Sequence, residues 1–158
     1  MDVMDYLIDQ EGKDWAELLS GWSILLPGSY TVWLVNRLGD VFAVFDDDSV
    51  HFLDVGRGVV ERVADNRDHL ADLLDVGDKA GGWLAIGIVD ACLEAGLKLS
   101  PNQCYGFKIP PMLGGNYEVE NLEPTDLSIH YSFLADICRQ TKDLPAGTKV
   151  RIVLEPEP

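Results

Sequence analysis

Between Tyr30 and Ala64 the sequence divides into four short β-prone stretches, and the gaps between them are too short for anything but tight turns. Tyr30 to Arg37 is rich in β-branched and aromatic residues. Val41 to Phe45 follows after Gly39-Asp40, Val50 to Asp54 after the polar Asp46-Asp47-Asp48-Ser49, and Val59 to Ala64 after Gly56-Arg57-Gly58. A parallel neighbour needs a crossover of about a dozen residues or more, so each stretch must pair antiparallel with the next, as a meander. Phe42, Val44, Phe52 and Val60 are expected to share one face of it.

The flanks read as helices. Asp14 is placed to cap a short helix carrying Trp15, Leu18, Leu19 and Trp22 on one face, and Pro27-Gly28-Ser29 ends that segment. Asn66 to Leu74 has Leu70, Leu73 and Leu74 on one side, with Asp65 or Asn66 as its cap. Lys79 to Ala95 reads as one apolar helix closed by Gly96 and buried against the sheet. Pro101 to Gly115 reads as a loop and Tyr117 to Leu122 as a strand. Ser128 to Asp143 reads as a helix with Phe133, Leu134, Ile137 and Cys138 inward. Pro145 to Thr148 is expected as a turn and Val150 to Leu154 as a last strand. This order predicts an α+β fold, a single domain in which an antiparallel β meander packs against helices. Residues 1–27 form its helical lead and residues 28–158 the α+β domain.

Charge narrows the partners. The 158 residues carry 27 acidic and 12 basic side chains, a net of −15, and residues 1–78 alone account for −12. Such a chain lacks the lysines and arginines that nucleic-acid phosphates or anionic lipids require, so neither is expected as a partner. Solubility explains the excess as well as a basic partner does. Hydrophobic residues make up 47%, enough for a core. Cys92, Cys104 and Cys138 form no C-x-x-C pair, which fits a reducing compartment. The N-terminus shows no basic region followed by an apolar run, and the longest apolar stretch, Trp83 to Val89, is far short of the roughly 20 residues of a membrane span. A cytoplasmic location is expected.

Motifs for chemistry are missing. There is no G-x-x-x-x-G-K-[ST], no G-x-G-x-x-G after a strand, no G-x-S-x-G and no H-E-x-x-H. His51, His69 and His130 are far apart, and His130 fits the apolar face of its helix. The Asp46-Asp47-Asp48 run fails as a calcium loop. Counted from Asp46, its fifth, sixth and twelfth places hold Val50, His51 and Arg57 in place of a ligand, a glycine and a glutamate. No cofactor, no metal and no catalytic residue are expected.

Several segments resemble a bacterial immunity domain. They are Trp33-Leu34-Val35-Asn36-Arg37-Leu38-Gly39-Asp40, Val44-Phe45-Asp46-Asp47, and His51-Phe52-Leu53-Asp54-Val55-Gly56. Cys104-Tyr105-Gly106-Phe107-Lys108-Ile109-Pro110-Pro111, Leu113-Gly114-Gly115 and Gln140 to Thr148 complete the set. Together these resemble the C-terminal domain of the Tdi-type immunity proteins of type VI secretion systems, over about residues 28–150. The resemblance implies a non-enzymatic protein that binds a cognate toxin in the cytoplasm and blocks it. The toxin of the founding pair degrades DNA. Many members also carry an N-terminal GAD-like domain, where this sequence shows a short helical lead.

Two candidate sites follow. The exposed acidic residues of the meander, Asp46, Asp47, Asp48 and Asp54, are candidates for binding a toxin with a basic surface. Tyr105, Phe107, Gly114 and Gly115 are candidates for a pocket or groove rim. That pocket carries the alternative, a small-molecule-binding protein or an enzyme of unrecognised type using the 104–117 loop. Turn glycines and core aromatics account for the same four residues.

Overall fold

A computed structural model describes residues 3–75, 79–142 and 144. The meander forms as its turns require. β1 (Tyr30–Val35), β2 (Val41–Phe45), β3 (Val50–Asp54) and β4 (Val59–Ala64) lie in that order, each antiparallel to the next. Phe42 stands directly opposite Phe52, with ring centroids 4.8 Å apart. Val60, expected on that face, is on the other. It pairs with Leu53, while Glu61 takes the place opposite Phe52. The length of the Val55–Gly58 turn sets that parity, and a one-residue offset in register moves a side chain to the opposite face.

Both faces of the sheet are covered, which is why β2 is buried along nearly its whole length. One face carries Val35, Val41, Ala43 and Leu53. Against it pack Leu19, Trp22 and Leu26 of the N-terminal segment and Tyr131, Leu134 and Cys138 of α5 (Leu127–Thr141). Asp14 caps α1 (Trp15–Leu18) by accepting from the Glu17 amide, as its position predicts. Trp22 is fully buried, and its indole N–H donates to the Tyr131 carbonyl at 3.2 Å. The other face carries Phe42, Val44, Val50 and Phe52, covered by Leu70 of α2 (Arg67–Asp75) and by Trp83. Asn66 caps α2, its side-chain oxygen accepting from the His69 amide.

A second apolar cluster joins Tyr6, Leu38, Leu84, Val89, Cys92, Tyr105 and Leu122. Here the structure corrects four expectations. Lys79 to Ala95 is not one helix. It breaks into α3 (Lys79–Trp83) and α4 (Ile86–Glu94), with Ala85 left-handed at φ 51° and ψ 42°. Trp83 packs edge-on against Phe42, whereas Leu84 and Val89 belong to the second cluster. A straight helix cannot serve both, and the break redirects it. Nor is α4 buried all round, since Leu93 is 45% exposed. Its end is as read: the amide of Gly96, at φ 85°, bonds the Leu93 carbonyl and that of Leu97 bonds the Cys92 carbonyl, a Schellman closure.

The segment read as a loop, 101–115, contains a strand. β5 (Gln103–Phe107) pairs antiparallel with β6 (Leu122–Asp126). Tyr117 to Leu122 is not a strand of its own: it leads through a 3₁₀ turn (Val119–Asn121), and only its last residue, Leu122, enters β6. Tyr117 and Val119 pack inward and Glu118 and Glu120 outward, so the alternation reflects burial without pairing. The expected turn at Pro145–Thr148 and strand at Val150–Leu154 lie outside the described residues. No helix among the described residues is long and apolar enough to cross a membrane.

Candidate functional site

The turn between β1 and β2 organises the molecule. Asn36 is buried, and all of its side-chain polar groups are used. Its oxygen accepts from the amides of Leu38 (2.9 Å) and Asp40 (3.0 Å), and its amide donates to Asp40 Oδ2 (3.1 Å) and to the Trp83 carbonyl (2.8 Å). α5 holds the same turn from below. The Tyr131 hydroxyl donates to the Gly39 carbonyl at 2.7 Å, and His130 Nε2 lies 2.9 Å from the Leu38 carbonyl, which makes that nitrogen the donor. Gly39 has φ +84°, and a Cβ on it would lie 2.9 Å from the His130 ring. The Arg37 carbonyl accepts from the Tyr105 amide at 2.8 Å, tying β5 to the turn.

Asp40, at the end of this turn, faces a cleft of about 370 Å³ between the β3–β4 hairpin and the α3–α4 break. Phe52, Trp83 and Tyr117 wall the cleft, and Asp40, Asp54, Arg57 and Glu61 supply its charge. Asp40 is 7% exposed; its second oxygen accepts from the Val55 amide at 3.0 Å. Burial raises its pKa to about 7, and the neighbouring Asp54 carboxylate adds to the rise, against the bonds from Asn36 and Val55 and the more distant Arg57. Asp54 is raised too, chiefly by burial, with the Arg57 amide and guanidinium opposing. Arg57 Nε lies 3.8 Å from Asp54 Oδ2, and its guanidinium stands 5.9 Å from the Tyr117 ring centroid. Burial and Asp54 also raise the Tyr117 phenol. Near neutrality this cleft holds a carboxyl poised between its two protonation states beside an ionisable neighbour. Perturbed groups of this kind concentrate at functional sites. Nothing in the sequence patterning joined Asp40 to Asp54, because the pair depends on the turn closing onto Val55.

The acidic residues proposed for partner binding separate into two places. Asp46, Asp47 and Asp48 are exposed at the β2–β3 hairpin tip, whereas Asp54 lies at the far end of β3, in the cleft. The tip has internal order. Ser29 Oγ donates to Asp46, the Ser49 amide and hydroxyl both donate to Asp47, and Asp48 has φ 71°. Those bonds from Ser49 hold the Asp47 carboxyl below its usual range. His51 Nε2 is 2.9 Å from the same serine oxygen, and the ring stacks on Phe45 at 3.7 Å. This Asp-Ser-His set is not a nucleophile triad. The serine proton is committed to Asp47, so His51 donates to the oxygen and is not its base.

Packing and turn geometry account for Tyr105, Phe107, Gly114 and Gly115. Tyr105 is buried, with its hydroxyl donating to the Leu97 carbonyl at 2.6 Å. Phe107 meets Tyr117 edge-on at 5.4 Å and closes against Gly56. Gly114 has φ +90°, and a Cβ on Gly115 would meet the Ile109 carbonyl oxygen at 1.7 Å. Three further grooves carry no comparable pair of perturbed groups. One of about 560 Å³ runs between Leu18 and Phe133, one of about 510 Å³ between Trp15 and Tyr30, and one of about 510 Å³ between Asp48 and Arg67. Cys92, Cys104 and Cys138 are buried, with thiols pushed up by desolvation, so none is an activated nucleophile. No group of three or more His, Cys, Asp or Glu side chains that could hold a metal occurs among the described residues.

No curated protein matches the chain. A family model matches from the end of β4 through most of α5. That stretch includes the Cys104–Pro111 and Leu113–Gly115 segments and the Gly82, Trp83 and Tyr117 side of the cleft; the meander that supplies Asp40 and Asp54 precedes it. Over residues 64–138 the chain is matched by the family of the T6SS immunity protein Tdi1, C-terminal.

Proposed function

We propose that this protein is a non-catalytic immunity module that neutralises a cognate toxin in the cytoplasm by binding it and covering its working surface. The observation that carries the reading is the family match over residues 64–138. The charge distribution is compatible with it and favours a basic partner. The exposed Asp46, Asp47 and Asp48, in a half-chain of net −12, suit a toxin with a basic surface, such as a nuclease built to hold phosphates. The same charge disfavours direct binding of nucleic acid. The alternative, a small-molecule site in segment 104–117, is disfavoured by the packing of Tyr105 and Phe107, although Tyr117 of that segment lines the cleft.

Co-expression with the toxin encoded beside this gene tests the reading. Growth protection together with a stable complex on affinity capture is the expected result. A toxin that kills equally with and without this protein, and is not captured by it, refutes the proposal.

A further inference from the structure

The Asp40–Asp54 cleft has a chemistry that the toxin-binding reading does not use. Its volume, about 370 Å³, is at the small end of ligand sites and suits one long side chain. Phe52, Trp83 and Tyr117 are among the residues that line the cleft, beside Leu38, Val59, Ala85 and Ile88. Its acidic side chains, Asp40, Asp54 and Glu61, outnumber its one cation, Arg57, and Asp54 and Glu61 are the carboxylates nearest its mouth beside Arg57. No ion pair among the described residues reaches Asp40. The chain already lays one guanidinium in this place: Arg57 sits over the Tyr117 ring beside Asp54, with its side chain still 66% exposed. An aromatic wall with a carboxylate behind it is the arrangement that holds a guanidinium, through cation–π attraction and charge-assisted hydrogen bonds.

We propose that this cleft is a socket for a single arginine or lysine side chain presented by the toxin, entering beside Arg57 between the aromatic wall and the Asp54 and Glu61 carboxylates. The inference rests on the reading of the partner as a protein toxin. It adds the point at which the toxin is gripped. The hairpin tip, exposed and at the other end of β3, attracts the partner from a distance. The cleft desolvates one of its charges, and a desolvated charge at an interface holds the complex together.

The chemistry is testable without the toxin. N-acetyl-arginine methylamide is titrated into the protein while the Trp83 indole and Tyr117 ring resonances are followed, with the uncharged citrulline analogue as control. The expected result is a saturable shift of both resonances by the arginine compound, with affinity about tenfold lower in a D54N/E61Q variant, as the loss of one charge-assisted bond implies. Asp54→Asn retains the oxygen that accepts the Arg57 amide, and Glu61 is exposed, so the variant is expected to fold. Equal shifts with arginine and citrulline compounds, or equal shifts in wild type and variant, overturn the inference. With the toxin itself, the variant is expected to dissociate about tenfold faster. A toxin that binds wild type and variant equally overturns the socket and leaves the immunity reading standing. A toxin that binds neither refutes the immunity reading, and the arginine titration then decides the chemistry of the cleft by itself.

Discussion

Asn36 donates its side-chain amide to the carbonyl of Trp83, 2.8 Å away, and so satisfies the carbonyl on which α3 ends. The residues lie 47 positions apart, and the bond joins the β1–β2 turn to the helix break that opens the cleft. Replacing Asn36 with alanine removes four hydrogen bonds and strands the buried amides of Leu38 and Asp40. Each stranded group costs about 1–3 kcal/mol, partly recovered by relaxation, so Asn36→Ala is expected to lose about 2–4 kcal/mol in urea unfolding. Asn36→Asp retains the acceptor but sets a second carboxylate against Asp40. It is expected to be worse at pH 8 than at pH 5. Alanine and wild type of equal stability would remove the turn from its organising role.

Gly39 and Gly12 both have positive φ, +84° and +74°, but only Gly39 is crowded. An alanine at Gly12 meets nothing within 4 Å and carries the backbone cost alone, about 1 kcal/mol. An alanine at Gly39 must also displace the His130 ring, which is held by the Leu38 carbonyl and packed beside Tyr131. Overpacking adds roughly 1–3 kcal/mol. Thermal unfolding of the two variants is expected to place Gly39→Ala well below Gly12→Ala, and equal midpoints would contradict the packing described.

The meander was legible because its signals are local. Strand residues and turn residues alternate within a few positions, and β2, β3 and β4 begin and end where the punctuation of the sequence puts them. The α3–α4 break was not legible, since the apolar pattern runs through Leu84 and Ala85 without interruption. The cause of the break is distant: the division of labour between Phe42 and the second cluster, and the Asn36 bond. β5 was missed for a related reason. Cys104, Tyr105 and Gly106 are all buried, so the strand shows no alternation, and its partner β6 carries Pro124. Of the candidate sites, the hairpin tip was visible as a charge run. The cleft was not, because Asp40 and Asp54 come together only through the bond from the Val55 amide to Asp40.

Asp40 and His130 give opposite pH dependences. The folded Asp40 carboxyl, with pKa about 7 against an ordinary 3.8, keeps a proton that the unfolded chain releases, so its contribution to stability falls as pH rises through that window. The buried His130, with pKa about 4 against 6.5, refuses a proton that the unfolded chain accepts. Its contribution is complete above 6.5 and is lost as pH falls toward 4. Between pH 4 and 6.5 the two slopes have opposite signs and oppose each other. Asp40→Asn is therefore expected to make stability, relative to wild type, rise with pH over this range, and His130→Gln to make it fall. Urea unfolding at half-unit pH steps measures both slopes, and parallel profiles for the three proteins would show that neither group titrates as described.

The two acidic places should act on different rates. Asp46→Asn and Asp48→Asn preserve the local structure: asparagine still accepts from Ser29 Oγ at position 46 and tolerates the left-handed backbone at position 48. Asp47 is left in place because it holds Ser49. If the exposed tip steers a basic toxin, the double variant lowers the association rate by about two- to tenfold at low ionic strength and leaves dissociation nearly unchanged. The difference shrinks as salt is raised through about 0.15 M, where the Debye length is about 8 Å. Asp54→Asn, four residues along β3 from Val50 and inside the cleft, is expected to show the reverse: an unchanged association rate, faster release and little salt dependence. Stopped-flow association and competition-chase dissociation on the same pair of variants separate the cases. A tip variant that changes only dissociation, or a cleft variant that changes only association, would assign the two charges the wrong way round.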